Sequence, residues 1–512
     1  MTSATASENY GYHKAKLWQI GFFTLNNTTT NMYLFALAFV SYYATGIAGL
    51  TVVAISTILT FMRIFDGITD PIIGFIIDKT ESKFGKFRPL MILGNVILAV
   101  SLLTMYNVTH LLPEAFQMLF FIAIYAIYII GYTFQTACTK AAQTALTNDP
   151  KQRPLFAVFD GVNNTLLYTG GQIFVASYLV AKHGGFTMPL FTELNAYVVV
   201  LGLVFTGLAV AGIWAKDRKE FYGLAELNVK TSFRDYWPIL KGNRPLQMLI
   251  IAASSDKLTL SVLRHAVVVV MLFGILLGDY ELSGTISLIV LIPTLLITFA
   301  GVAYARKTDL KKSFVVSTWV GLISFGVLVA FLFVIDPTTI SLNNLGFTTI
   351  GFIVLYTLGM GFGSLPTALV NPMIADVSDY ETYKSGRYVP GMIGTLFSFV
   401  DKLISSLAPA LVGFAVALIG YKNAFPEIGD PLTTSIYGMT IFLAFGIPVL
   451  GWIVSLIAMK FYYLDSKKMA EIQRSIGEVK EKAGKERAQE AIRSGETKGS
   501  SRDILNPVPS PK

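Results

Sequence analysis

Arg63, Asp66 and Asp70 stand at i, i+3 and i+7 inside RIFDGITDPIIGFIID, a stretch that otherwise reads as a membrane-spanning helix. That spacing sets all three on one helical stripe. An ionised carboxylate at the bilayer centre costs roughly 2.5–3.5 kcal/mol even on the lenient insertion scale, so two on one face point to a water- or ion-filled interior. Pro71 cannot donate to the carbonyl of Gly67 and leaves that oxygen free beside the two Asp. Carboxylates with a free carbonyl are hard oxygen ligands suited to a small cation. The alternative is that Arg63 neutralises Asp66 in a packed helix pair, which leaves Asp70 without a partner.

Other polar residues interrupt apolar runs. Asn26 to Asn31 are six consecutive polar residues. Asn27 and Asn31 share a face and either hold the hydroxyls of a solute, since amides donate and accept, or act as helix–helix glue. In SSDKLTLSVLRH, Asp256 lies eight residues before Arg264, close to one stripe. These two either line the second half of a cavity or pair between helices. His265 reads as a packed histidine. Asp376, Asp379, Glu381, Lys384 and Arg387 form one charged cluster, and Asp78, Lys79, Lys86 and Arg88 another. Together they read as a latch at the inner mouth, or else as solvated loops.

The elements that position these groups are membrane helices. Hydrophobic residues make up 53% of the chain and charged residues 14%, against about 25% charged in a typical soluble protein. Twelve apolar segments of spanning length are predicted, at 18–44, 49–77, 89–109, 115–146, 155–181, 193–215, 247–277, 283–305, 313–335, 346–376, 388–420 and 436–463. The net charge of +8 crowds into alternate connections at 79–88, 151–153, 216–244, 306–312 and 384–387, whereas the opposite connections hold only Lys182 and Lys422. The positive-inside rule then predicts both termini in the cytoplasm and gives no reason to expect a nucleic-acid partner. The single cysteine, Cys138, has no intrachain disulfide partner and suits apolar packing. The N-terminal segment lacks a small-residue cleavage site, so the first apolar run is expected to be a retained helix.

The chain divides into an N-terminal segment 1–17, a six-helix bundle 18–215, a polar linker 216–246, a second bundle 247–463 and a tail 464–512. In the tail, 464–490 is expected to form a charged helix and 491–512 to be disordered. The short basic loops DKTESKFGKFRP and ARKTDLKKSF echo each other in the two halves, the plan of a transporter built from two repeats with a midplane site.

RIFDGITDPIIG followed by DKTESKFGKFRP resembles the glycoside–pentoside–hexuronide:cation symporter family, a branch of the major facilitator superfamily that includes the melibiose permeases. ADVSDYETYKSGR at 375–387 and Lys402 within FSFVDKLISSLAPALVGF extend the resemblance to the second half. It implies an all-α fold of twelve transmembrane helices in two six-helix halves. It also implies that Asp66 and Asp70 hold Na⁺ or H⁺, and that Lys402 serves the substrate. Where relatives carry a third acid in span four, the aligned residue is Thr136, with Lys140 one turn on. The family's span-five Arg falls near Asp160. In span one, LNNTTTN contains no acid. Lys140 either pairs with Asp66, Asp70 or Asp160 as an internal counter-charge, the favoured reading, or snorkels to the helix end.

The function expected is cation-coupled symport of a sugar, glycoside or hexuronide by alternating access, with H⁺ favoured over Na⁺ because this cavity has one carboxylate fewer and one ammonium more. A lipid or lysolipid transporter on the same scaffold and an uncoupled sugar facilitator are the rivals. No catalytic arrangement, Gly-rich nucleotide loop or metal cluster is evident in the sequence. The chain is accordingly read as a monomeric plasma-membrane carrier rather than an enzyme. Its partners are a sugar-type solute and membrane lipid, with no cofactor beyond the coupling ion.

Overall fold

The computed structural model describes residues 13–80, 82–147, 152–218, 221, 236–343, 345–386 and 390–478. In the first half these fold into α1 (Leu17–Leu37), α2 (Val40–Gly46), α3 (Val52–Lys79), α4 (Arg88–Val108), α5 (Glu114–Leu146), α6 (Arg153–Ile173), α7 (Ala181–His183) and α8 (Met188–Ile213). A short α9 (Tyr236–Gly242) precedes α10 (Arg244–Leu263), α11 (Ala266–Val269), α12 (Glu281–Lys307), α13 (Leu310–Val334) and α14 (Phe347–Ser385). The chain ends its bundle with α15 (Pro390–Ser405), α16 (Ala408–Leu418), α17 (Thr434–Ile441) and α18 (Ile447–Phe461). π-helical turns join α6 to α7, extend α11 to Leu276 and join α17 to α18.

Helix starts follow local chemistry. Thr51 caps α3 by accepting from Ala54 N, and Asn243 caps α10 by accepting from Leu246 N at 2.9 Å. Proline occupies the first turn of α4, α6, α8 and α10, where its missing N–H has no cost.

Ten helices among the described residues are long and apolar enough to cross a membrane. The two remaining expected spans are α1 and α6, each 21 residues long. They fall short because Asn and Thr replace aliphatic residues along them, and they pack against each other inside the bundle. Span seven differs from the continuous helix expected: it breaks at Arg264 and His265, where the His265 ring accepts from Val267 N and starts α11. Non-helical backbone at this depth is tolerated where it lines a cavity.

The packing has a polarity. One core at the end away from the termini draws on both halves, with Val52 and Ile55 of α3 packed in the same cluster as Val412 and Val416 of α16. The opposite end has two separate cores, one of first-half and one of second-half residues. Hydrogen bonds follow the same division. Val52 N donates to Lys422 O at 3.0 Å, Tyr42 Oη to Pro426 O at 3.1 Å, and Gln172 Nε2 to Ser283 Oγ at 3.0 Å. Gly413 is required at the α3–α16 crossing, since a Cβ there would overlap Ser56 Oγ. The halves are thus sealed at one end and parted at the end carrying the termini.

A helix over 466–478 follows the last span, with Ile472 buried in the second-half core. Residues 479–490 of the expected charged helix, and the 491–512 segment, lie outside the described residues, as do 222–235 of the linker.

Candidate cation and solute site

Asp66 and Asp70 sit on α3 about 21 and about 27 Å from its sealed end, at 1.5 Å per residue. Lys402 of α15 reaches them from the other half, with Nζ 2.5 Å from Asp70 Oδ2 and 3.4 Å from Asp66 Oδ2. The resemblance placed Lys402 with the substrate; its ammonium instead occupies the carboxylate pair. Asp66 is 5% exposed, and the ammonium stands where it offsets the cost of burying a carboxylate.

The span-four contribution differs from expectation. Thr133 Oγ1, not Thr136, lies 3.3 Å from Asp66 Oδ1, and it stands 2.9 Å from Thr69 Oγ1. Thr136 turns its hydroxyl to Thr133 O of its own helix. Three residues is nearly one helical turn, so YTFQT presents two candidate hydroxyls; the one meeting α3 is decided by how α3 and α5 pack. Lys140 is exposed and, among the described residues, pairs with none of Asp66, Asp70 and Asp160. It shares the stripe of Tyr132 and Thr136, one turn beyond Thr136 towards the parted end.

The polar run of α1 splits by face. Asn26 is fully buried and donates to Gln135 O at 3.2 Å and Thr139 Oγ1 at 2.8 Å, so it ties α1 to α5. Asn31 Nδ2 donates to Asn164 Oδ1 at 2.8 Å, and Asn27 stands beside the Asp160 carboxylate, whose Oδ1 has no partner. Asn27 and Asn31 on α1 face Asp160 and Asn164 on α6, both pairs at i, i+4. This forms a half-buried polar ladder that both donates and accepts.

In α10, Asp256 does not line a cavity with Arg264. Eight residues at 100° each leave their side chains about 80° apart. Asp256 is 2% exposed and accepts from Ser455 Oγ of α18 at 3.2 Å. Lys257, on the neighbouring face, pairs with Asp401 of α15, an ion pair that sequence did not reveal because its members lie 144 residues apart. Arg63 lies within electrostatic range of Asp66, Tyr125, Tyr128 and Tyr132, but it makes no salt bridge with Asp66.

The charged latch is not closed. Arg88 Nε pairs with Asp217 Oδ2 at 3.2 Å, and the same carboxylate accepts backbone N–H groups of Lys86, Phe87 and Arg88. Lys79 lies over the Phe75 ring. Asp379 accepts from Gln473 Nε2, Glu381 from Asn243 Nδ2 at 2.9 Å, and Lys384 Nζ donates to Gly242 O. These partners come from the same half as the group they meet. The Asp78 side chain and Arg387 lie outside the described residues.

A sequence-family model described as MFS/sugar transport protein matches residues 21–466. An uncharacterized symporter of Bacillus subtilis (strain 168), YjmB, is 26% identical over 74% of this chain and 78% of its own. A glucuronide carrier protein homolog of Escherichia coli (strain K12) is 24% identical over 85% of this chain and 90% of its own. Among solved structures, the nucleoside transporter NupG superposes with a TM-score of 0.57 at 12% identity, covering 88% of this chain and all of that one, a likeness of fold.

Proposed function

The chain belongs to the MFS/sugar transport protein family, a family of membrane transporters rather than enzymes, and on that premise we propose that it carries a sugar, glycoside or hexuronide across the plasma membrane by cation-coupled symport. The observation that carries this reading is the bridge from Lys402 to Asp70 and Asp66, because it joins a cation-binding pair to the interface between the moving halves. With the Lys- and Arg-rich end in the cytoplasm, the arrangement is inward-open. In this state Lys402 acts as a tethered cation that occupies the carboxylates once the coupling ion has left.

A coupling ion entering the pair displaces Lys402, loosens the cross-half tether and lets the halves rock. Solute held by the Asn27, Asn31, Asp160 and Asn164 ladder binds the rearranged cavity better, and linkage makes the effect reciprocal. H⁺ is favoured over Na⁺. Thr136 stands where relatives carry a third acid, and protonating a carboxylate requires no multi-oxygen shell.

Lipid or lysolipid transport has one observation in its favour, an apolar cavity of about 410 Å³ between α1, α6 and α8, lined by Met32, Phe35, Gly171, Leu194 and Val198. The amide ladder beside it suits hydroxyls better than acyl chains. Uptake of radiolabelled sugars into vesicles, under an imposed pH or Na⁺ gradient, tests the proposal. Accumulation driven by the pH gradient supports it, and exchange of lysolipid without any sugar uptake refutes it.

A further inference from the structure

Arg63 and Arg264 come from opposite halves and both stand near mid-span. Arg63 is eleven residues after Val52 at the sealed end of α3, about 17 Å, and Arg264 is twelve residues before Leu276 at the sealed end of its span, a run that includes π-helical turns. Tyr168 of α6 lies within electrostatic range of both guanidinium groups. Arg264 also neighbours Tyr356 of α14. Its side chain is accessible although it stands near mid-span.

Among the described residues, neither Arg makes a salt bridge or a side-chain hydrogen bond. Each guanidinium carries five donors in a planar fork matched to a carboxylate. Two such forks at membrane depth with nothing to bind are costly unless water or an anion meets them. Span seven breaks directly after Arg264, which caps α10 before His265 starts α11. Broken helices at the midplane of transporters typically mark solute contacts.

We propose that Arg63 and Arg264 form a clamp for the carboxylate of an anionic sugar, with Tyr168 between them and the Asn31–Asn164 pair at the ring hydroxyls; the proposal rests on the sugar-symport reading above. Formal charge agrees. Among these residues of the two halves, Asp66, Asp70 and Asp160 balance Arg63, Arg264 and Lys402, three against three. One coupling cation leaves one positive charge in excess, and an anionic solute cancels it. Because the two Arg come from different halves, a bound carboxylate also bridges the halves, deeper than the α3–α16 crossing.

The test is equilibrium binding to the purified full-length protein in nanodiscs, using glycoside pairs that differ only at C6. The pairs are nitrophenyl β-glucuronide with nitrophenyl β-glucoside, and the galacturonide with the galactoside. The clamp requires roughly tenfold or greater preference for the acid in at least one pair. Arg264→Gln must abolish that preference while neutral-sugar affinity stays within about threefold, and Arg264→Lys must keep part of it. Thermal unfolding and monodispersity of both variants establish that they are folded. Binding of the neutral sugars with no acid preference, or a preference that survives Arg264→Gln, overturns the clamp and leaves sugar symport standing. Binding of none of the four overturns both.

Discussion

Lys402 places its ammonium 2.5 Å from Asp70 Oδ2 across the boundary between the two halves, although the residues are 332 apart in sequence. A group that balances buried charge within one protein state also fixes the relative position of two helices, α15 and α3. The same contact therefore links ion occupancy to conformation, which a coupled transporter requires.

Removing either carboxylate should uncouple transport without unfolding the protein. Asp66→Asn and Asp70→Asn are each expected to reduce the accumulation ratio to near unity, while solute exchange at equal concentrations persists. Accumulation ratios in vesicles check this, with membrane expression and monodispersity as the folding control. Normal accumulation in both variants would remove the pair from the coupling site.

Lys402→Ala should act in the opposite direction on the ion. Without the tethered ammonium, the coupling cation no longer competes with a positive charge a few ångströms away, an effect typically worth tenfold or more. We expect tighter cation binding by about that factor and slower turnover, because the carboxylates then hold the ion after solute has left. Cation-dependent protection from thermal unfolding reports the affinity; an unchanged midpoint concentration would show that Lys402 does not compete.

Thr133 and Thr136 separate by experiment. Thr133→Val removes the hydroxyl near Asp66 while conserving shape, and a hydrogen bond to a charged group is worth about 1.5–3 kcal/mol. Because that hydroxyl donates to the ionised carboxylate, proton binding at the pair should strengthen roughly tenfold in Thr133→Val, whereas Thr136→Val, which loses only a bond to its own helix, should stay within about twofold. Equal changes in both would return Thr136 to the site.

How far sequence reached follows from which contacts are local. The Asp66–Asp70 stripe lies within one helix, so spacing alone exposes it. The span positions are equally legible, because they need only runs of apolar residues between basic loops. Which partner meets the stripe is a tertiary matter. Thr133 rather than Thr136, and Lys402 rather than Lys140, depend on helix rotation and tilt that one sequence does not encode locally. Asp217 escaped notice for the same reason: it lies in a linker with other charges, and only folding brings it under the backbone of residues 86–88. α1 and α6 are the weakest spans by apolarity, and the Asn and Thr residues responsible include those that build the polar ladder.

The sealed end offers a conformational prediction. Gly413→Val adds bulk where a single Cβ already overlaps Ser56 Oγ. It should prevent α3 and α16 from closing and bias the protein towards the state open at that end. A cysteine introduced at Asn31 in a Cys138→Ala background should then label faster from the outside by several-fold. Unchanged labelling would mean that the seal does not depend on this crossing.

The central claim is that solute moves together with a cation held by Asp66 and Asp70. Its most direct measurement is the pH of a lightly buffered suspension of de-energised proteoliposomes after a transported sugar is added. We expect alkalinisation of the medium as protons enter with the sugar, little change when Na⁺ is added, and no alkalinisation in Asp66→Asn or Asp70→Asn. Sugar entry without proton movement, or proton movement that persists in both variants, would contradict it.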